Sequence, residues 1–267
     1  MSVNLEVSGL KREDKIIKIA NLNPTFANEN VSIKEVVKKI ILSGHRRIPI
    51  TNKKNELTGI VTTMDILDAF LRQQNFNESI KSIMIREVIF FRKDETLEQA
   101  LQKLKISRRG GAPIVEDENK KFLLGIANER DIVKHFINIP FNEKIEEVMT
   151  RKPLIISNKV SIYDCLKSIV NSHYRRLPVM DGKNLVGIVT SSDLINYILT
   201  HEYRYEDLHA PIDFLVKRSP ITIKSDEDVS QALRLMVEKD VGGILVTDDN
   251  KNLVGIITER DILERIF

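Results

Sequence analysis

Cysteine, tryptophan and long apolar runs are scarce or missing in this chain, and their absence excludes several classes of protein. The only cysteine, Cys165, cannot form a disulfide within one chain, and no spacing of His and Cys fits a zinc site. No apolar run approaches 18 residues, and no signal segment opens the chain. We therefore expect a soluble, cytoplasmic protein without a bound metal, in which Cys165 is a buried structural thiol.

Familiar catalytic motifs are missing as well. No nucleophile lies in a recognisable pattern with a base, no pair of carboxylates stands out, and phosphate-loop and dinucleotide fingerprints are absent. We therefore predict that the protein is not an enzyme. The formal net charge of +3 is too small to indicate nucleic-acid binding by itself, although the arginine pairs described below keep that alternative open.

What the chain does contain is a seven-residue pattern that occurs four times. Its fullest form reads Gly-Ile-Val-Thr-Ser-Ser-Asp. The glycines follow one another at intervals of 66, 62 and 68 residues, so one unit has been copied over most of the chain. The four copies of this heptad are residues 59–65, 125–131, 187–193 and 255–261.

Each heptad lies where a short apolar strand is predicted to become an amphipathic helix. Its Thr-x-x-Asp is typical of a capping box, in which the threonine accepts a hydrogen bond from a helix N–H group and the acid reaches back. The same geometry suits a ligand, because a helix N-terminus favours phosphate and a carboxylate can accept hydrogen bonds from a ribose diol. The heptad alone leaves both interpretations open.

Two further near-copies help to set the boundaries of the repeats. Residues 76–84 and 141–149 both begin with Phe-Asn-Glu and lie 65 residues apart. Each repeat is predicted to contain strand, helix, strand, strand and helix, and a unit of about 60 residues is too small to bury both faces of a sheet alone. We predict a leader at residues 1–13 and repeats at 14–75, 76–140, 141–206 and 207–267.

Alternate repeats share features that consecutive repeats do not. The first and third carry an arginine pair before a strand, Arg46-Arg47 and Arg175-Arg176. The second and fourth carry Gly110-Gly111 and Gly242-Gly243 there, and Glu-Arg-Asp in the heptad. Arginine suits phosphate because its planar guanidinium donates two parallel hydrogen bonds. The long-range unit is a duplicated pair, so we expect one module of repeats 1 and 2 and another of repeats 3 and 4.

These features resemble the CBS (cystathionine β-synthase) domain. The pattern of that family begins with a strand that ends in an apolar residue, proline and valine, or similar. Glycine, two apolar residues and Thr-x-x-Asp follow. Four such units with no enzyme domain resemble the γ subunit of AMP-activated protein kinase and its archaeal four-repeat relatives. The resemblance implies an α/β (α+β) fold in which four CBS repeats form two tandem paired modules packed as a flat disc. It also implies that AMP, ADP or ATP binds as a regulatory ligand in clefts between paired repeats, as in energy sensing.

By this resemblance the heptad acid holds the ribose, while the heptad hydroxyls and nearby basic residues hold phosphate. The family's His-Arg clamp is Arg-Arg here, with His45 and His173 nearby but out of register. In repeats 2 and 4 the heptad arginines could supply the charge that the glycines lack, and asparagine in place of threonine weakens the second site. The matching positions are Arg46, Arg47, Thr62 and Asp65; Asn128, Arg130 and Asp131; Arg175, Arg176, Thr190, Ser192 and Asp193; and Thr258, Arg260 and Asp261.

Two other ligand classes stay open. The arginine pairs could bind RNA or DNA, although the chain has no basic tail or aromatic-rich surface. Some CBS domains bind S-adenosylmethionine, whose cationic sulfonium fits less well beside Arg-Arg. We expect adenine nucleotides as ligands, a regulated protein partner, and a monomer or homodimer that does not associate with membranes.

Overall fold

A computed structural model describes residues 10–138 and 140–266, so most of the predicted leader lies outside the described part of the chain. Each of the four repeats contains the predicted order of strand, helix, strand, strand and helix. The helices in the described ranges are α1 (Ile33–Ser43), α2 (Thr63–Leu71), α3 (Leu97–Ser107), α4 (Glu129–Val133), α5 (Ile145–Val148), α6 (Ile162–Ser172), α7 (Ser191–Thr200), α8 (Val229–Glu238) and α9 (Glu259–Ile266). The strands are β1 (Ala27–Asn28), β2 (Arg47–Thr51), β3 (Leu57–Thr62), β4 (Phe91–Arg92), β5 (Gly111–Val115), β6 (Leu123–Asn128), β7 (Thr150–Arg151), β8 (Ile156–Ser157), β9 (Arg176–Asp181), β10 (Asn184–Thr190), β11 (Lys217–Arg218), β12 (Thr222–Lys224), β13 (Gly243–Thr247) and β14 (Leu253–Thr258).

Short-range sequence signals set the limits of these elements. α1 begins after Ser32, whose hydroxyl oxygen accepts a hydrogen bond from the N–H of Glu35, while the Glu35 carboxylate accepts one from the N–H of Ser32. It ends at Gly44, whose left-handed φ of 68° closes the last turn. In each repeat the short strand that precedes this helix pairs in parallel with the first strand of the antiparallel hairpin that follows it. The sheets have the orders β1-β2-β3, β4-β5-β6, β11-β10-β9-β8 and β12-β13-β14-β7.

The chain forms two compact units, each of which gathers alternate repeats. The odd unit contains residues 25–88 and 154–220, with the strands and helices of repeats 1 and 3. The even unit contains the described residues of 1–24, 89–153 and 221–267, with those of repeats 2 and 4. Each unit has its own apolar core, built around side chains such as Ile66 and Leu194 in the odd unit and Ile132 and Ile257 in the even unit.

The helices that follow the heptads pair within each unit. α2 packs against α7 in the odd unit, and α4 packs against α9 in the even unit. The duplication pattern predicts pairing of consecutive repeats, whereas this helix packing joins alternate ones. The predicted pairing of consecutive repeats is also present, because the segments that lead into them are exchanged. These leading segments are residues 10–24, 76–88, 141–153 and 207–220.

Each leading segment adds an edge to the sheet of the neighbouring repeat. Asn21, ahead of the strands of repeat 1, bridges to Ile126 in β6, and Ile85, ahead of the strands of repeat 2, bridges to Ile60 in β3. In the second half of the chain, β11 pairs with β10 and β7 pairs with β14. The sequence predicts residues 14–20 as an entry into repeat 1, but they belong to the unit of repeat 2. Edge pairing is made by backbone groups, so the side-chain pattern does not reveal it.

This exchange explains the glycine that opens each heptad. A Cβ atom on Gly187 would lie 2.7 Å from the carbonyl oxygen of Lys217, and one on Gly125 would lie 2.8 Å from that of Asn21. The other two heptad glycines would place a Cβ 3.2 and 3.0 Å from a leading-segment oxygen. A larger residue would displace the backbone of the leading segment at Gly125 and Gly187 and would crowd it at Gly59 and Gly255, so these glycines meet a packing requirement.

Candidate functional site

Every heptad forms a capping box at the start of its helix. In repeat 3, Asp193 Oδ2 accepts hydrogen bonds from the N–H of Thr190 at 2.8 Å and from its hydroxyl at 2.7 Å. The Thr190 hydroxyl oxygen accepts in turn from the N–H of Asp193 at 3.3 Å. The structural interpretation of the heptad is therefore confirmed, and one oxygen of each acid is committed to its helix. The corresponding pairs are Thr62 with Asp65, Asn128 with Asp131, and Thr258 with Asp261.

The second carboxylate oxygen of two of these acids meets a leading segment. Asp193 Oδ1 lies 2.7 Å from the Nζ of Lys217, and Asp261 Oδ1 accepts from the Thr150 hydroxyl at 3.5 Å. Burial raises the pKa of Asp261, while its hydrogen bonds from Thr258 lower it. The acid in repeat 3 is thus neutralised by a lysine, whereas the acid in repeat 4 meets a neutral hydroxyl.

The second arginine of each pair lies beside a heptad hydroxyl. Arg47 is opposite Thr62 in the hairpin of β2 and β3, and Arg176 is opposite Thr190 in the hairpin of β9 and β10. Residues directly opposite each other in an antiparallel pair have Cβ atoms about 5 Å apart. Both arginines are half-buried. The structure therefore brings these predicted clamp residues next to the predicted phosphate-contacting threonines.

The first arginine of each pair contacts the helix through its backbone. The N–H of Thr63 donates to the carbonyl oxygen of Arg46 at 3.1 Å, and the N–H of Ser191 donates to that of Arg175 at 2.9 Å. Arg46 and Arg175 are half-buried, and Ser192, the next heptad residue in repeat 3, is exposed. Each arginine pair is therefore joined to the start of α2 or α7 by a backbone hydrogen bond.

Repeat 2 cannot carry a side chain at the position of Arg47 and Arg176. Gly111 is opposite Asn128 in the hairpin of β5 and β6, and its φ of 152° is one that L residues rarely adopt. A Cβ there would lie 2.4 Å from the side-chain oxygen of Asn128. In repeat 4 the corresponding Gly243 lies opposite Thr258, so both even repeats lack an arginine here and repeat 2 alone also lacks the threonine.

The heptad arginines of the even repeats form reciprocal ion pairs. Arg130 Nε donates to Glu259 at 2.6 Å, and Arg260 Nε donates to Glu129 at 2.9 Å. Both glutamates are buried, at 5% and 6% exposure respectively. Arg130 also pairs with Asp240 at 2.7 Å. A role of Arg130 and Arg260 toward phosphate stays a prediction, and phosphate would have to compete with these carboxylates. The pairs join residues that are 129 and 131 positions apart, which is why the sequence did not suggest them.

A cavity of about 820 Å³ in the odd unit has Asp193 in its wall. One side is formed by residues of α7 and the other by the leading segment of repeat 4, which ends at Lys217. The ring of His201 stacks on Tyr197 with 3.8 Å between centroids, and the Tyr197 hydroxyl donates to the carbonyl oxygen of Asp207 at 2.9 Å. Such a volume suits a small organic ligand. Of the predicted site residues in the described odd unit, Asp193 alone lines this cavity.

Sequence reasoning missed Lys217 and the wall formed by α7. A partial signal existed, because the copied segments 76–84 and 141–149 are followed directly by Ile85 and Thr150. Those two residues occupy the same place at the sheet edge, opposite Ile60 and Ile256. Aligning the two copied segments would have marked Ile85 and Thr150 as equivalent positions, although it would not have shown which strand they pair with.

Other side chains that the sequence singles out have local structural contacts. Cys165 is buried, and burial raises the pKa of its thiol to about 12, which confirms the predicted structural thiol. His45 Nδ1 lies 3.1 Å from the Thr25 hydroxyl oxygen, and His173 is an exposed residue that ends α6. In the described ranges, every helix is too short or too polar to cross a membrane, and no three His, Cys, Asp or Glu side chains are grouped to hold a metal.

The four repeats match one known family. The model of the CBS domain matches residues 16–72, 80–138, 145–200 and 212–267, which is most of the chain. This chain belongs to the CBS domain family. The heptad capping boxes, the hairpins and the exchanged leading segments described above are therefore features of four CBS repeats in one chain.

Two known proteins resemble most of the chain. Protein MJ1225 of Methanocaldococcus jannaschii is 30% identical over 273 residues, covering 92% of this chain and 95% of that one. Its crystal structure matches with a TM-score of 0.86 at 29% identity, covering 95% of this chain and all of that one, and MJ1225 has been proposed as an archaeal homologue of γ-AMPK. A 33.4 kDa protein from a ribosomal RNA operon of Thermofilum pendens is 27% identical over 245 residues, covering 83% and 80%. The predicted resemblance to archaeal relatives is confirmed.

Proposed function

We propose that this CBS protein is a non-catalytic regulatory protein that binds an adenine nucleotide, AMP, ADP or ATP, and senses energy state. The observation that carries the proposal is Asp193, whose carboxylate is fixed at a helix start and forms part of the wall of the cavity of about 820 Å³. A fixed carboxylate in a cleft can accept two hydrogen bonds from a ribose diol. Membership of the CBS family and the similarity to MJ1225, itself proposed as an archaeal homologue of γ-AMPK, support the same ligand class.

In this proposal the odd unit holds the principal sites. Asp193 holds the ribose, while the start of α7 and the nearby guanidinium groups attract phosphate, because both favour negative charge. Repeat 1 offers the same arrangement, with Asp65 in the place of Asp193. The proposed phosphate-binding residues are Thr190, Ser192, Arg175 and Arg176 in repeat 3 and Thr62, Arg46 and Arg47 in repeat 1.

The even unit is proposed to bind the ligand more weakly. Its heptads keep their acids, Asp131 and Asp261, but the neighbouring arginines are engaged by carboxylates at 2.6 and 2.9 Å. Phosphate would have to displace these ion pairs to gain Arg130 or Arg260. Asn128 and Thr258 complete the two proposed even sites.

A cationic adenosyl ligand is the second candidate, and the composition of the cavity favours it. The carboxylates of Asp193, Glu206 and Asp207 line the cavity, and the one lysine or arginine among the described lining residues is Lys217. Lys217 pairs with Asp193 and Arg204 pairs with Asp207 at 3.1 Å, so Glu206 is the carboxylate left to attract positive charge, as carried by the sulfonium of S-adenosylmethionine. Nucleic acid is less well supported, because the formal net charge of the chain is only +3.

The setting of the proposed sensor follows from its regulatory character. A ligand that is bound but not converted acts by favouring one state of the protein over another. We therefore propose a regulated protein partner, a cytoplasmic location, and a monomer or homodimer. Copurification of tagged protein from its source, with mass spectrometry of bound proteins and small molecules, would identify both partner and ligand.

Thermal unfolding with AMP, ATP, S-adenosylmethionine and single-stranded RNA tests the proposal. A ligand present at a hundredfold excess over its Kd stabilises a protein by about 2.7 kcal/mol, which corresponds to a rise in Tm of about 5 °C or more for a chain of this size. We expect this shift with AMP or ATP and none with RNA.

Asp193→Asn is the matched control for that experiment. Asparagine keeps a side-chain oxygen that can accept from the N–H of Thr190, so the cap of α7 is preserved, but it removes the charge offered to the ribose. We expect the variant to fold and to lose the part of the nucleotide shift that the site of repeat 3 supplies. A full set of scans with no shift for any adenine-containing ligand would exclude the proposed function.

A further inference from the structure

Lys217 occupies an unusual position beside the proposed ribose-binding acid. Its Nζ lies 2.7 Å from Asp193 Oδ1, and its side chain is 64% exposed whereas that of Asp193 is 12% exposed. The other oxygen of Asp193 is committed to Thr190. A ribose diol that approaches this acid must therefore share Oδ1 with the lysine or displace it.

The lysine is not required by the fold. Lys217 is the leading-segment residue opposite Ile188 in the sheet of repeat 3. The residues at the same place in the other three sheets are Ile85, Asn21 and Thr150, opposite Ile60, Ile126 and Ile256. An apolar residue, an amide and a hydroxyl thus build the same edge without a charge, so the positive charge belongs to this site in particular.

The charge of Lys217 opposes the charge of its surroundings. The same cavity is lined by Asp193, Glu206 and Asp207. Asp207 pairs with Arg204 at 3.1 Å, so without the lysine it is Asp193 and Glu206 that would favour a cationic ligand. An ammonium group on a long, exposed side chain can move several ångströms at little cost, because its rotamers are not fixed by packing. It can leave Asp193 when a stronger anion, such as phosphate, binds beside that acid, because phosphate offers more charge and more acceptor oxygens.

We propose that Lys217 determines specificity at this site, by making binding of the ribose diol depend on a phosphate in the same ligand. A phosphate draws the lysine from Asp193 Oδ1 and so exposes that oxygen to the diol. A nucleoside leaves the lysine on Asp193, and a sulfonium ligand is repelled by it. This inference rests on the proposed function, since it assumes an adenosine-containing ligand, and it selects the nucleotide over the cationic alternative.

Calorimetric titration of Lys217→Met with AMP, adenosine and S-adenosylmethionine tests the inference. We expect AMP to bind about fivefold more weakly than in the wild type, and the other two ligands to bind as well or better, since an exposed charge pair contributes up to about 1 kcal/mol. The preference for AMP over S-adenosylmethionine should therefore fall by at least about fivefold. Arg218→Met is the matched control, because Arg218 is the next residue, is 63% exposed and pairs with Asp213 at 3.2 Å. It removes the same charge and should leave the ligand preference unchanged.

The same Lys217→Met change made in Asp193→Asn protein shows whether the effect arises at Asp193 or in another repeat. In Asp193→Asn protein the lysine has no carboxylate to release, so Lys217→Met should no longer change the preference. An unchanged preference in Lys217→Met alone, or an equal change in Arg218→Met, would overturn the inference while leaving nucleotide binding intact. Failure of the wild type to bind any of the three ligands would instead exclude the proposed function, so the two failures are distinguishable.

Discussion

The odd and even units build the same backbone at their heptads but place different chemistry there. In the odd unit the first helical residues are Thr63 and Ser191, whose hydroxyl oxygens lie 3.5 Å apart in a buried contact. In the even unit the same positions hold Glu129 and Glu259, each paired with the arginine of the other repeat. The even unit thus uses heptad charge for its own stability. The odd unit instead carries its arginines on the hairpin strands, beside the heptad threonines.

Placing a glutamate in the odd unit, at the position that Glu259 occupies in the even unit, should have the largest effect on stability. Ser191→Glu buries a carboxylate at a position where the even unit has Glu259. In the even unit the partner is Arg130, but the corresponding residue of the odd unit is Met64, which carries no charge. Burying an unpaired charge in this way should lower the free energy of unfolding by about 3 kcal/mol or more, measured by urea denaturation.

The double variant Ser191→Glu with Met64→Arg is the control for this transfer. If the even-unit ion pair depends only on the two helix starts, the added arginine should recover a large part of the lost stability. If Ser191→Glu alone were as stable as the wild type, the new carboxylate would not be buried without a partner, and the prediction would be wrong.

Removing one arginine from the even unit should have the next largest effect. Arg130→Met leaves Glu259, which is 5% exposed, without its guanidinium partner. We expect the free energy of unfolding to fall by about 2–3 kcal/mol, because a buried carboxylate would lose its counter-charge.

Ser192→Met places the same side chain at the corresponding position of the odd unit. Ser192 is exposed, so this variant should change stability by no more than about 0.5 kcal/mol. Equal effects of the two variants in urea denaturation would mean that the ion pair of the even unit is no more than a surface contact.

Local order was predictable from the sequence because it depends on neighbouring residues. The threonine and acid of each heptad are three positions apart, and this spacing alone fixes the capping box of Thr190 and Asp193. The period of the repeats and the order of their elements follow from the same kind of signal. The candidate site was predictable as far as Asp193, Thr190 and Arg176, which are close in sequence or opposite each other in one hairpin.

Long-range contacts were not predictable in the same way. The pairing of α2 with α7 and of α4 with α9, the exchange of leading segments and the Arg130–Glu259 ion pair each join residues from different repeats. When four copies share one pattern, the pattern cannot say which copy packs against which. Lys217 was missed for a related reason, since its partner Asp193 lies in another repeat and its neighbours give it no distinctive motif.

The smallest expected effects concern acids whose surroundings shift their pKa values in opposite directions. In the even unit, burial raises the pKa of Asp261, so ionising this acid lowers the free energy of unfolding. The loss develops as pH rises from about 3.9, the pKa of an unfolded aspartate, through the raised value. In the odd unit, hydrogen bonds from Ser161 lower the pKa of Asp164, so its contribution to stability is present above about 3.9 and is lost as pH falls through the lowered value. Relative to Asp261→Asn, the wild type should therefore become less stable between pH 3 and 7, and relative to Asp164→Asn it should become more stable. Urea denaturation of the three proteins at several pH values measures both slopes, and slopes of the same sign would show that burial does not govern the acid of the even unit.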